Sequence, residues 1–191
     1  MSILKVDTIN EKTTGNGVEI AHALKGSGIA GHVIQVVESS DATETLFDTS
    51  SWNVTTLNCA ITPKQTSSKL LVTVATNVGG DEGGAEGVGC KLTRQVAGGS
   101  FANADNINTS TWGCHASTNA PTGDFYAPAN VTFQVYDDPT FTLGQTLTYR
   151  LEIRGYASEY PIGYNRGRGF DSDGSGRWQT ASTISIQEIA Q

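Results

Sequence analysis

Charge is what this chain has least of. Asp, Glu, Lys and Arg make up 16% of its 191 residues, against roughly 25% in ordinary globular proteins. Ser, Thr, Asn and 22 glycines fill the gap. Gly, Thr and Asn are weak helix formers, so a helical architecture is the first thing excluded. No apolar run reaches the roughly 18 residues of a membrane-spanning helix. Cysteine is scarce as well. Cys59, Cys90 and Cys114 are odd in number, widely spaced and without a CxxC pair. That excludes a disulfide framework and a zinc site, and leaves three small buried or half-buried residues. Met1-Ser2-Ile3-Leu4-Lys5 lacks a basic stretch followed by a long apolar core, so no secretory signal is expected. The net charge of −7 disfavours nucleic acid and anionic membrane surfaces as partners.

Catalytic signatures are missing too. There is no GxSxG, P-loop, dinucleotide fingerprint, HxH or HExxH. A glycosidase needs two carboxylates across a scissile bond, and nothing in the spacing of the Asp and Glu residues singles out a pair. We expect no enzyme, no cofactor and no metal. His22, His32 and His115 are far apart; His22 or His32 would meet an ion only if copies of the chain stacked them on a symmetry axis. Asp171-Ser172-Asp173-Gly174-Ser175-Gly176 resembles the start of a calcium loop. Its twelfth position is Ser182 rather than Glu, so it reads as a polar hairpin tip.

What the chain does have is a period of two. Leu147, Tyr149, Leu151 and Ile153 alternate with Thr148, Arg150, Glu152 and Arg154. Val131, Phe133 and Val135, then Ile184 and Ile186, repeat the pattern. Such alternation marks a strand with one wet face. Strands are expected near 32–38, 44–48, 53–61, 68–78, 87–95, 109–117, 129–137, 146–156 and 182–189, divided by Gly, Pro and Asp turns. Many short strands at even spacing indicate a β-sandwich or jelly roll.

Three long loops are expected, at 79–89, 116–129 and 155–179. The last exceeds the roughly 12–15 residues of ordinary connections. It carries Tyr156, Tyr160, Tyr164, Arg166, Arg168, Phe170 and Trp178. Arg, Tyr and Trp are favoured anchors of interfaces, so these seven are candidates for a receptor or inter-subunit surface. An RGG-like RNA contact from Gly163 to Phe170 is disfavoured in so acidic a chain.

Before Gly31 lie two short apolar runs, 3–9 and 18–24, around Thr13-Thr14-Gly15-Asn16-Gly17. Neither can bury itself, and a lone two-stranded hairpin is marginal in water. Copies of the chain, or a partner, should cover Ile3, Leu4, Val6, Ile9, Val18, Ile20 and Leu24. Gly26-Ser27-Gly28 and Gly31 then form a flexible joint.

These residues carry a family resemblance. Leu4-Lys5-Val6-Asp7-Thr8-Ile9, then Lys12-Thr13-Thr14-Gly15-Asn16-Gly17-Val18-Glu19-Ile20, then Gly31 and Ile34-Gln35-Val36-Val37 resemble the N-terminus of tail-fibre and virion-fibre proteins of tailed bacteriophages, especially marine and cyanobacterial phages. The likeness continues through Ser51-Trp52, Ile61-Thr62-Pro63-Lys64, Ser67-Ser68-Lys69-Leu70-Leu71-Val72, Asp137-Asp138-Pro139, Thr148-Tyr149 and Ser182-Thr183-Ile184-Ser185-Ile186-Gln187-Glu188-Ile189. It marks an architecture and no chemistry. Fibres of that family are trimers. The expectation is therefore an all-β chain, with a short β stem over 1–30 and a jelly-roll-like β-sandwich head over 31–191, assembled as a homotrimer. The resemblance implies a virion structural protein made in the host bacterial cytoplasm. Its N-terminus would dock on tail, baseplate or capsid, and its head would face outward, towards a host surface glycan or protein. A carbohydrate-binding module, a capsid decoration protein without a receptor role and a small glycan hydrolase are the competing readings.

Overall fold

The computed structural model describes residues 31–47, 50–79, 87–104, 114–119, 128–155, 162–166 and 179–191. Among them there are eleven strands and no helix. The strands are β1 (Val33–Asp41), β2 (Thr45–Phe47), β3 (Asn53–Ile61), β4 (Lys69–Gly79), β5 (Gly87–Val96), β6 (Ala102–Asn103), β7 (Ala116–Asn119), β8 (Ala129–Asp137), β9 (Leu147–Gly155), β10 (Ile162–Tyr164) and β11 (Ser182–Ile189). All pairings are antiparallel.

They form two sheets. In the first, β8 lies on one edge of β4, with β11 and β10 in succession on the other; β1 continues outward from β11 and β2 from β10. In the second the order is β3-β9-β5, with β6 and β7 sharing the far edge of β5. The sheets face each other as a β-sandwich. Leu70, Val72, Val74, Val131, Val135, Ile184 and Ile186 of the first meet Leu57, Val88, Leu92, Leu147, Leu151 and Ile153 of the second in one apolar cluster. Each of these alternates with an outward residue, so the period of two in the sequence becomes an inside and an outside.

Two expectations need correction. Ile162–Tyr164, placed in a long loop, is a strand inserted between β2 and the end of β4. It fits because Gly163 has no side chain; a Cβ there would stand 2.7 Å from the Arg166 carbonyl oxygen. Ala116–Asn119, whose last two residues were also read as loop, continues as β7 along β5.

The sandwich has two unlike ends. At one end Gly31 enters beside Ala190, donating its N–H to the Ala190 carbonyl at 2.8 Å. The turn 62–68 there is pinned. Glu188, fully buried, accepts from the Lys64 and Gln65 amides at 2.8 and 3.1 Å and from Ser68 Oγ at 2.7 Å. Between the sheets nearby, Arg94 pairs with Asp137, which also accepts from Tyr149 Oη at 2.6 Å. At the other end lie the ends of β4, β7 and β9 and the starts of β5, β8 and β11.

Candidate functional site

Of the seven aromatic and arginine residues singled out in the sequence, two lie among the described residues. Tyr164 is fully buried, and its hydroxyl donates to Asp41 Oδ2 at 2.8 Å. Burial, then the Asp41 carboxylate, push its pKa up. Tyr164 is therefore an interior residue and not part of a receptor surface. It leads into Asn165, in the left-handed region at φ 57°. Asn165 bridges the Asp41 and Thr43 carbonyls and accepts from Ser182 Oγ at 2.5 Å. Arg166, half-buried, bridges to Gln179. Tyr156, Tyr160, Arg168, Phe170 and Trp178 lie outside the described residues, as do Ile3, Leu4, Val6, Ile9, Val18, Ile20, Leu24 and His22.

A different constellation stands on the outer face of the second sheet. Antiparallel register sets Lys91 of β5 opposite Glu152 of β9, Thr93 opposite Arg150, and Gly89 opposite Arg154. Lys91 Nζ lies 3.0 Å from Glu152 Oε2. Arg150 Nη2 donates to Glu152 Oε1 at 2.7 Å, and Thr93 Oγ1 donates to the same oxygen at 3.0 Å. Each cation also lies over an aromatic ring. Lys91 Nζ is 4.5 Å from the ring centre of Trp52, and the Arg150 guanidinium is 3.7 Å from that of Phe101. Trp52 and Phe101 therefore lie over the face. Lys91 and Glu152 are 9% and 6% exposed, although they point away from the core.

Burial alone would raise the Glu152 pKa. Hydrogen bonds from Lys91 and Arg150 outweigh it and hold the carboxyl below the usual range. Both oxygens are thus committed to donors, which makes Glu152 a structural anion rather than a proton acceptor for a substrate.

Beside this cluster is a cleft of about 200 Å³, lined by Trp52, Gly87, Val88, Gly89, Cys114, Ser117 and Arg154. Trp52, just ahead of β3, reaches across β9 to β5. It packs on Gly89, where an added Cβ would stand in ordinary van der Waals contact, 3.5 Å from Trp52 Cη2 and 3.4 Å from Cys114 Cβ. The indole Nε1 is shut off from solvent and has no acceptor among the described residues. Cys114 is half-buried and Ser117 exposed. Cys90, on the inner side of β5, has its thiol pushed up to about 12, by burial first and then by Cys114, so it is unreactive at neutral pH. Among the described residues no group of His, Cys, Asp and Glu could hold a metal ion.

The alternation identified Arg150, Glu152 and Arg154 as outward-facing. It did not bring Trp52 to them, because that contact depends on β3 and β5 flanking β9.

No protein-family model matches the chain, and no curated protein matches it in sequence.

Proposed function

We propose that this chain is a bacteriophage virion structural protein, a tail or capsid fibre. Residues 1–30 dock on the particle and join three copies, and the β-sandwich head faces outward, towards the host surface. The observation that carries this reading is the polarity of the sandwich. The chain enters at the end where Glu188 pins the turn 62–68, and the Trp52 cleft lies towards the other. A head held at its entry end presents the cleft away from the particle.

Strand order supports a jelly roll in particular. With the short strands β2, β6 and β10 set aside, the two sheets run β1-β11-β4-β8 and β3-β9-β5-β7, an eight-strand, double-sheet arrangement found in viral capsid and lectin domains. The apolar runs of the first thirty residues support the homotrimer, since Ile9, Val18 and Ile20 need neighbours to cover them.

Light scattering on the full chain and on a version starting at Gly31 tests the proposal. The full chain should be a trimer, and an Ile9→Asp/Ile20→Asp double variant should give monomers or insoluble material. A monomeric full chain would remove the fibre reading. The second reading, a carbohydrate-binding module, rests on the Trp52 cleft and would then lead. A decoration protein differs from a receptor-binding fibre in leaving phage adsorption unchanged when the head is altered.

A further inference from the structure

We infer that the heads of neighbouring copies meet through the entry half of the first sheet, with the β1 edge of one copy set against the β8 edge of the next. The inference rests on the reading of the chain as a three-copy assembly joined before Gly31, and it names the surface of the head that takes part.

The distribution of exposed apolar side chains is the first argument. Val33, Val36, Val54, Tyr136 and Leu143 are the large ones exposed among the described residues. All but Val54 lie at the end where the chain enters. Register places three of them on one outer face. Val33 stands in a row with Ile189 and Lys69. Val36, Gln187, Leu71 and Tyr136 form the row beside it, across β1, β11, β4 and β8. The following row holds Glu38, Ser185, Thr73 and Gln134 instead. The face therefore changes from apolar to polar along its own strands, whereas a face open to water over its whole length would be polar throughout.

Placement at two edges is the second argument. Val33 and Val36 belong to β1, Tyr136 belongs to β8, and Leu143 is on the turn that follows β8. β1 and β8 lie at opposite ends of the path β1-β11-β4-β8, three steps of roughly 4.8 Å apart. A two-fold pair needs one self-complementary surface. A closed ring of three needs two different ones, one towards each neighbour. The two edges supply them.

Order and charge are the third. Gln191 Nε2 donates to Tyr136 Oη at 3.3 Å, and Lys69 Nζ lies 5.7 Å from the centre of the ring. The ring is thus held before a neighbour arrives, so little ordering is needed on contact. Lys69 in turn pairs with Asp138 at 3.2 Å, which leaves this strip without net charge. Copies of a chain of net charge −7 repel one another, and a neutral strip is where they can approach. Four exposed side chains are far fewer than the roughly 20–30 residues a side of a free-standing complex. The contact therefore forms between copies already joined, whose effective concentration is on the order of millimolar. It sets how the heads sit around the axis.

The test is cross-linking of the full chain with a short bismaleimide, in a Cys114→Ser background that removes the half-buried thiol; Cys59 and Cys90 are buried. Val36→Cys/Tyr136→Cys should pass mostly into covalent trimer on a denaturing gel. The two positions are too far apart within one head for the reagent to join them there. Either substitution alone should stay monomeric on the gel, because like edges do not meet. Ser40→Cys/Thr132→Cys, on the same two strands but in the polar half, should stay monomeric as well. Val33→Cys/Leu143→Cys is a second pair on the two edges, so one variant that fails to fold does not decide the matter. Light scattering on the same samples separates the two readings. A trimer in solution in which neither edge pair cross-links would overturn this inference and leave the fibre standing. Covalent dimers from Val36→Cys or Tyr136→Cys alone would overturn the head-to-tail arrangement. A monomeric full chain would overturn both.

Discussion

On the outside of the first sheet, Thr73, Gln134 and Ser185 stand side by side, with Gln134 Nε2 donating to Thr73 Oγ1 at 3.1 Å. Thr183, Ala75 and Thr132 form the next row. On the outside of the second sheet, the corresponding positions hold Lys91, Thr93, Arg150 and Glu152, with Trp52 and Phe101 laid over the cations. Both faces point away from the core. At these positions one meets water with neutral side chains, most of them short. The other holds long charged side chains in place and depends on mutual neutralisation to do so. An outward position is therefore not the same as a wet one: what covers it comes from elsewhere in the chain.

The sharpest way to break this contrast is Glu152→Ala. Lys91 would be left buried, and both it and Arg150 would lose their carboxylate, at a cost of about 3 kcal/mol, read as a lower urea midpoint. Trp52 fluorescence should shift in the same variant, because Lys91 would no longer be held over the ring. Acid should have a smaller effect in the same direction. The Glu152 pKa is lower in the folded than in the unfolded chain, so its contribution is complete above the ordinary glutamate value of about 4.3. That contribution is lost as pH falls through the folded value. Urea midpoints of the native protein and of Glu152→Gln, measured from pH 6 downward, should converge below about pH 4; parallel curves would contradict the assignment. Phe101→Ala should cost about 1 kcal/mol by uncovering Arg150, measured by the same denaturation. Thr73→Ala and Ser185→Ala on the neutral face should each stay within about 0.5 kcal/mol. A larger loss there would mean that this face too is covered.

The core was legible in the sequence because burial there follows the pleat. Leu147, Tyr149, Leu151 and Ile153 alternate in the sequence, and all four are fully buried. From the sequence alone Tyr164 reads as a loop aromatic. Its surroundings, Gly163, Asn165 and Arg166, carry no alternation, and its strand owes its existence to β2 and β4 rather than to local pattern. Two-residue β6 was missed for the same reason, being defined only by Thr93 and Arg94 opposite it. The candidate site was half legible. Arg150, Glu152 and Arg154 were marked as one face of a strand. The place of Trp52 beside them follows from sheet order, which a single strand's periodicity does not encode.

The pairing of β1 with β11 bears on how the head withstands force. β1 runs from Val33, where the chain enters, towards the far end at Asp41, and it stays paired with β11 from Ile189 to Ser182. Suppose the head is held by the chain before Gly31 and pulled by something gripped at the far end. The load then runs along the strands. The rungs between β1 and β11 are strained in shear together instead of opening one after another like a zip. Rupture then requires many hydrogen bonds to fail in concert, so the head should resist tension along this axis far better than the same bonds would if peeled from one side.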